Sequence, residues 1–240
     1  PYSAEANYRA NAVWAKFGKI SERPAEIVEG AIVSDGEFNY KICIEDGEVY
    51  LAVSPKGYTG SPVVPESARI GDKDYPVKAI DDYAFHKCSL DAAPVLPATI
   101  ERIGRRAFSA ITFPRNTAVV FTLPAAVKEL GVAAFADYSW QVSNITINAV
   151  ESPERHIFTE LPDSLFTRAA IKSTNLLTPA VKKIGNYTFS GSSLEANLSE
   201  YNSLEEIGDY GFGGCKVTFR QSPALRRIGE SAFTSGYTSY

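Results

Sequence analysis

The sequence has little of what catalysis usually needs. Two histidines and three cysteines occur in 240 residues, and there is no methionine. His86 and His156 lie far apart, with no second histidine near either. For each, a surface or turn position stands against a catalytic or metal-binding role, and the isolation weighs toward the former. Cys43, Cys88 and Cys215 form an odd set without a Cys-x-x-Cys pair, which argues against a disulfide framework and against a zinc site. No nucleophile-elbow, zinc-protease, phosphate-loop or dinucleotide-binding motif occurs. The expectation is therefore no enzyme, no catalytic residue, no metal and no cofactor. No run approaches eighteen apolar residues, so no membrane insertion is expected. There is no charged segment leading into an apolar leader, and the start at Pro1 reads as a mature or trimmed form. A net charge of −4 repels a phosphate backbone, so no nucleic-acid partner is expected.

What is present is a repeat. "KKIGNYTFSGS" begins at Lys182 and "EEIGDYGFGGC" at Glu205. Five more copies share the frame, giving anchors at Phe85, Phe108, Phe135, Phe166, Phe189, Phe212 and Phe233, separated by 23, 27, 31, 23, 23 and 21 residues. Five residues before each anchor stands Ile80, Ile103, Leu130, Leu161, Ile184, Ile207 or Ile228. Eight before it stands Val77, Ile100, Val127, Phe158, Val181, Leu204 or Leu225. Neither column contains a polar residue. A unit of this length cannot bury its own apolar side, so the units must stack as a solenoid with the columns continuous inside it. Small residues before the anchor (Ala84, Ala107, Ala134, Gly211, Ala232) suit close approach of adjacent coils. Gly104, Gly131, Gly185, Gly208 and Gly229 follow the aliphatic, which suggests positive φ or a tight corner. Asp81 and Pro162 break that column.

Short alternating stretches follow the anchors: "VVFTLP" from Val119, "NITIN" from Asn144 and "KVTFR" from Lys216. Alternation turns Phe121, Leu123, Ile145, Ile147, Val217 and Phe219 inward and leaves Thr122, Thr146 and Thr218 outward, with Asn197 joining them. These strands are expected to form a parallel sheet along the solenoid, spaced about 4.8 Å. Near the N-terminus, "SAEANYRANAVWAKFGK" predicts a helix capped by Ser3. Asp46-Gly47 between alternating runs predicts a hairpin that pairs Ile42 and Ile44 with Val49 and Leu51. The boundaries read as a helical segment over 1–37, a hairpin cap over 38–60 and the solenoid over 61–240.

The units resemble the BspA-like leucine-rich repeats, whose pattern is matched by "IERIGRRAF" and "LEEIGDYGFGGC", with the Leu-Pro of "FTLPAAVKEL" and "VLPATIERI" leading into the next coil. The likeness covers about residues 60–240, with departures at Pro162 and Leu165 and in the long stretch from Asp137 to Arg155. The family pattern keeps its cysteine only at Cys88 and Cys215. Those two lie five coils apart, too far for a disulfide, and read as reduced core fillers. The expected class is an α+β solenoid: a right-handed leucine-rich-repeat coil with a curved parallel sheet of short strands, an N-terminal helix and a β-hairpin cap. The resemblance implies a non-catalytic, adhesin-like scaffold, extracellular or at the bacterial cell surface, including lipid anchoring before trimming. Its expected partner is a host or matrix protein or a glycan. The competing expectation is a structural module that self-associates through its terminal repeats. Recognition is expected on the open sheet face, at Thr122, Asn144, Thr146, Asn148, Asn197, Lys216, Thr218 and Arg220, or at Tyr138 and Trp140 in the long insertion. For the face, a plain solvated strand surface is the equal alternative; for the two aromatics, packing onto their own scaffold is favoured over exposure.

Overall fold

The computed structural model describes residues 27–138, 144–171, 173–234 and 237–239. Among these residues the regular structure is strand, with no helix. The described chain is thus a β-solenoid rather than α+β, and the expected N-terminal helix lies outside the described residues. The reason lies in the unit itself. Each one is a turn-rich corner around Phe followed by a short extended run, leaving no stretch long enough for helical turns.

The seven anchor rings form one column. Phe85 to Phe108, Phe108 to Phe135, Phe166 to Phe189, Phe189 to Phe212 and Phe212 to Phe233 stack with centroids 5.3, 5.4, 5.3, 5.2 and 5.7 Å apart. Phe135 to Phe166 is the widest step, at 6.1 Å. The column runs past its expected start: Tyr58 lies 4.7 Å from Phe85, and Phe38 5.2 Å from Tyr58. Tyr58 also has Val53 five residues before it, and the Asp81 amide donates to the Val53 carbonyl at 2.8 Å as later coils do at the same place.

Two backbone ladders hold the coils in register. At the corners, each anchor amide donates to the carbonyl preceding the next anchor, for example Phe85 to Ala107 at 2.8 Å and Phe189 to Gly211 at 2.9 Å. At the rungs, the amide after the aliphatic donates backwards: Gly104 to Ile80, Gly131 to Ile103, Gly185 to Leu161, Gly208 to Ile184 and Gly229 to Ile207, at 2.7–2.9 Å. The corner demands left-handed backbone two residues before and two after the anchor. Tyr83 and Lys87 flank Phe85 with φ of 61° and 58°, and Arg106 and Ala110 flank Phe108 with 52° and 55°. The glycine column therefore does not supply positive φ. Its cause is close approach, since a Cβ on Gly104 would stand 2.6 Å from the Asp82 backbone nitrogen, and one on Gly208 2.6 Å from that of Asn186. Asp82, Asp163, Asn186 and Asp209 tie the next coil further, each accepting from the backbone amide of Arg105, Asn186, Asp209 or Glu230 at 2.7–2.9 Å.

The rungs form two sheets, not one. Strands Ile32–Ser34, Asn39–Glu45, Glu48–Ser54, Lys73–Ile80, Arg102–Ile103 and Glu129–Leu130 pair in that order. Glu160–Leu161, Lys183–Ile184, Glu206–Ile207 and Arg227–Ile228 form a second set. The break falls at the coil where Pro162 replaces glycine. Proline has no amide hydrogen, so the bond that each other rung makes backwards cannot be made to Leu130 O. The corner ladder nevertheless continues across this joint, with Ala133 donating to Asp163 O at 3.0 Å and Phe135 to Leu165 O at 3.1 Å.

The expected face is also divided. Ala118–Leu123 pairs in parallel with Asn144–Ala149, while Glu195–Asn197, Lys216–Phe219 and Tyr237–Ser239 form a separate sheet. Ile171 touches the first only through a single bridge to Ile145. The inward set holds, because Phe121, Leu123, Ile145, Ile147, Val217 and Phe219 are all buried. The hairpin has its expected register, Ile42 opposite Leu51 and Ile44 opposite Val49, turning at Asp46 and Gly47 with φ of 51° and 82°.

Phe189→Ala, at the centre of the column, is expected to cost about 3–5 kcal/mol, read from the denaturant midpoint. Gly208→Ala is expected to destabilise by about 1–3 kcal/mol through overpacking despite its ordinary φ. An unchanged midpoint would show that the coils can separate to admit a methyl group.

Candidate functional site

The strand Ala118–Leu123 places Phe121 and Leu123 in the core and presents Val120 and Thr122 outward. Val120 occupies a position where a solvated strand would carry a polar residue, and it is 57% exposed. One coil earlier, Val95 is 58% exposed, and its backbone is fixed on both sides: its amide donates to Pro62 O and its carbonyl accepts from Val64, each at 2.9 Å. One coil later, Val150 is exposed and held by its amide on Leu123 O at 2.9 Å. Together with Leu96, Pro124 and Ala125 these valines line an open groove of about 410 Å³ whose one side-chain hydroxyl is Thr122. Exposed Val63, bridged to Val95, continues the apolar stripe. Scattered exposed aliphatics need no explanation, but a contiguous stripe along a recess is a candidate binding surface.

Thr122 is thus the expected recognition residue that the structure brings into an apolar recess. Asn148 pairs beside it in register, but its Oδ1 already accepts the Asn175 amide at 2.9 Å. Thr146 is half-buried opposite Val120. Asn144 is backbone-paired with Ala118. Asn197, Lys216 and Thr218 belong to the other sheet, with Asn197 opposite Thr218, and Arg220 follows the end of the strand Lys216–Phe219. There the Asn197 Oδ1 accepts from the Ser199 amide at 3.0 Å, and Lys216 Nζ lies 3.8 Å from Glu195. The expected face is thus divided between two separately paired sheets.

Tyr138 is not an exposed anchor. It is only 6% exposed and packs on Phe113 and Phe121. Its position explains this: it stands three residues after Phe135, in the column that Cys88 and Cys215 occupy after Phe85 and Phe212. Trp140 lies outside the described residues. The groove valines went unnoticed in the sequence, although Val120 at an outward position and the Val-Pro or Leu-Pro endings at residues 63–65, 95–97 and 123–124 were the available signal.

The titratable groups make no reaction centre among the described residues. His86 Nδ1 lies 2.7 Å from Ser109 Oγ, a pairing that elsewhere activates a nucleophile. Here Ser109 is fully buried and donates its hydroxyl to Arg106 O at 3.0 Å, so no substrate reaches it. His156 packs edge-on against Phe158. No group of three His, Cys, Asp or Glu side chains could hold a metal ion among the described residues. The three cysteines are free thiols, and burial pushes each of them above the ordinary thiol value. Along the rungs, Glu101 accepts from Lys128 at 2.6 Å, the main cause of a carboxyl held below its ordinary 4.5, with Lys78 also near. Glu206 is lowered likewise, first by its hydrogen bond from Arg227.

A stack of Phe-cornered, Leu/Ile-runged coils with no catalytic cluster among the described residues is the architecture of a leucine-rich-repeat solenoid. The family model described as BspA type leucine rich repeat region matches in six copies over residues 78–162 and 159–239, and the chain belongs to that family. No curated protein matches it. Among solved structures it is similar to a leucine-rich repeat protein from Bacteroides ovatus, at 17% identity over 84% of this chain and 68% of that one, with a TM-score of 0.42. A leucine rich cell surface protein from Faecalibacterium prausnitzii is 17% identical, with coverage of 88% and 55% and a TM-score of 0.46. The pneumococcal vaccine antigen PcpA is 17% identical, with coverage of 85% and 68% and a TM-score of 0.34. The chain spans little more than half of the Faecalibacterium protein.

Thiol labelling of the native protein is expected to modify half-buried Cys43 first, with Cys88 and Cys215 reacting only on unfolding. Mass spectrometry of partly labelled protein checks the order. Glu101 and Glu206 have depressed values in the folded state, so the stability they confer is present above about pH 4.5 and is lost as pH falls through their folded values. The melting temperature is expected to drop on acidification below pH 4.5, less steeply in the Glu101→Gln, Glu206→Gln double variant.

Proposed function

We propose that the chain is a non-catalytic binding scaffold at the bacterial cell surface, and that it recognises a protein through the valine groove. The observation that carries this reading is the apolar recess of Val95, Val120 and Val150 on a backbone fixed by coil-to-coil hydrogen bonds. Covering the half of each valine that is still exposed contributes up to about 1.5 kcal/mol. A rigid array adds little ordering cost to that gain. A groove with a single hydroxyl offers few partners for the many hydroxyls of a sugar, which favours protein over glycan. Family membership supports the scaffold role and the surface location.

The test is capture from host matrix proteins and mucus glycans by immobilised protein. The double variant Val95→Asp, Val120→Asp is expected to weaken capture of the bound protein at least tenfold, while Thr218→Glu, on the other sheet, leaves it unchanged. Loss with Thr218→Glu but not with the valine changes would move recognition away from the groove. A reversible rise of mass with concentration in light scattering, abolished by the valine changes and without captured partner, would instead favour an assembly module.

A further inference from the structure

The break between the two rung sheets is a gap of defined chemistry. Lys128, Glu129 and Leu130 form one wall, and Glu160, Leu161, Pro162 and Asp163 the other, around a cleft of about 450 Å³ backed by Phe158. At every neighbouring joint from Lys78 onward, the carbonyl two residues before the rung aliphatic accepts from the following coil: Lys78 from Glu101, Glu101 from Lys128, Thr159 from Lys182, Lys182 from Glu205 and Glu205 from Arg226, at 2.7–2.8 Å. Among the described residues, no such bond joins Lys128 O to Thr159 or Glu160, and Pro162 has no hydrogen to offer Leu130 O. The two sheets therefore present facing edges with backbone groups unpaired. Such edges are templates for an added strand.

The charges say which strand. The outward rung column reads Arg102, Glu129, then Glu160, Lys183, Glu206, Arg227. Wherever two of these rungs pair, the neighbours are opposite in sign, and Lys183 to Glu206 and Glu206 to Arg227 are 3.6 and 2.6 Å apart. Only across the gap do like charges, Glu129 and Glu160, face each other. The preceding column reads Lys78, Glu101, Lys128, with ion pairs of 3.4 and 2.6 Å, so the next place in the alternation is acidic. The following column is aliphatic throughout, from Ile80 to Ile228.

We propose that this cleft docks an extended segment of a partner protein, inserted parallel to the rungs and reading acidic, basic, aliphatic at three successive positions. The basic side chain lies between Glu129 and Glu160, the acidic one beside Lys128, and the aliphatic one between Leu130 and Leu161. The amide of the acidic residue donates to Lys128 O, as Lys128 donates to Glu101 O one coil earlier, and the amide after the aliphatic donates to Leu130 O. This site is separate from the valine groove and stands whether or not the groove binds.

Fluorescence anisotropy with labelled peptides tests it. A short peptide centred on Glu-Lys-Ile is expected to bind at least tenfold more tightly than one centred on Lys-Glu-Ile. N-methylation of the glutamate amide is expected to abolish binding. The exposed double variant Glu129→Lys, Glu160→Lys, checked for folding by circular dichroism, is expected to reverse the charge preference. Pro162→Gly, which supplies the missing donor to Leu130 O, is expected to lower affinity at least tenfold. Equal binding of the two charge orders, undiminished binding of the N-methylated peptide, or no binding at millimolar peptide would each overturn the proposal. So would a dimer that Glu129→Lys abolishes while no peptide binds, which would assign the cleft to a second copy of this chain.

Discussion

Everything in this molecule depends on coils lying in register, one directly on the next. No coil has an interior of its own. Each anchor ring from Phe85 to Phe212 lies between the rings before and after it, so the core exists only where neighbours are stacked. Register in turn is set by backbone bonds that leave no freedom of slip, since a shift of one residue would send the alternate set of side chains inward. The left-handed residues on either side of each anchor aim the corner amides at the next coil. The glycine column then admits the neighbouring backbone to a distance that any side chain would forbid.

Corner and rung are separate devices, and the joint before Pro162 shows it. Corner bonds and ring stacking carry across that joint, at the widest ring spacing of the column, while the rung sheet stops. Pro162 removes one of the few bonds a two-residue rung can make, and the bond to Lys128 O is absent there as well. Two like charges then face one another where pairing would otherwise bring opposite charges together. The change in backbone and the change in charge fall at the same place, which is what sets this joint apart from the others.

The parts that were legible in the sequence are those fixed by short-range spacing. The anchor, rung and inward columns follow from offsets of five, eight and two residues within one coil, and the Asp46-Gly47 turn follows from local twist. Tyr58 with Val53 is harder to see as a coil because it carries neither the Phe nor the Gly of the pattern, although the five-residue offset is present. The role of glycine was misjudged because the atoms it must avoid belong to another coil, some twenty-three residues away. Packing of Tyr138 onto its own scaffold is the reading the sequence favours, and its offset from Phe135, which puts it in the cysteine column, gives the reason. Continuity of the sheets could not be read at all. With coils of 21 to 31 residues, pairing beyond the corner depends on where each longer loop re-enters the stack.

The same contrast explains why a stacked repeat lends itself to binding over a surface. A catalytic site needs a few ionisable groups converging on one point, whereas a stacked array repeats each position at a fixed interval and spreads them into columns. Columns are suited to reading extended partners. The valine groove crosses three consecutive coils, with Val95 and Val150 held by neighbouring backbone and Val120 paired with Thr146, so its shape is set by the fold. Free energy gained by covering those side chains is then not offset by ordering the receptor. Specificity must come from where the columns change, because a uniform ladder would accept a partner in any register. The substitutions that depart from the repeat, outward valines in place of polar residues and proline in place of glycine, are what give this solenoid distinct positions along its length.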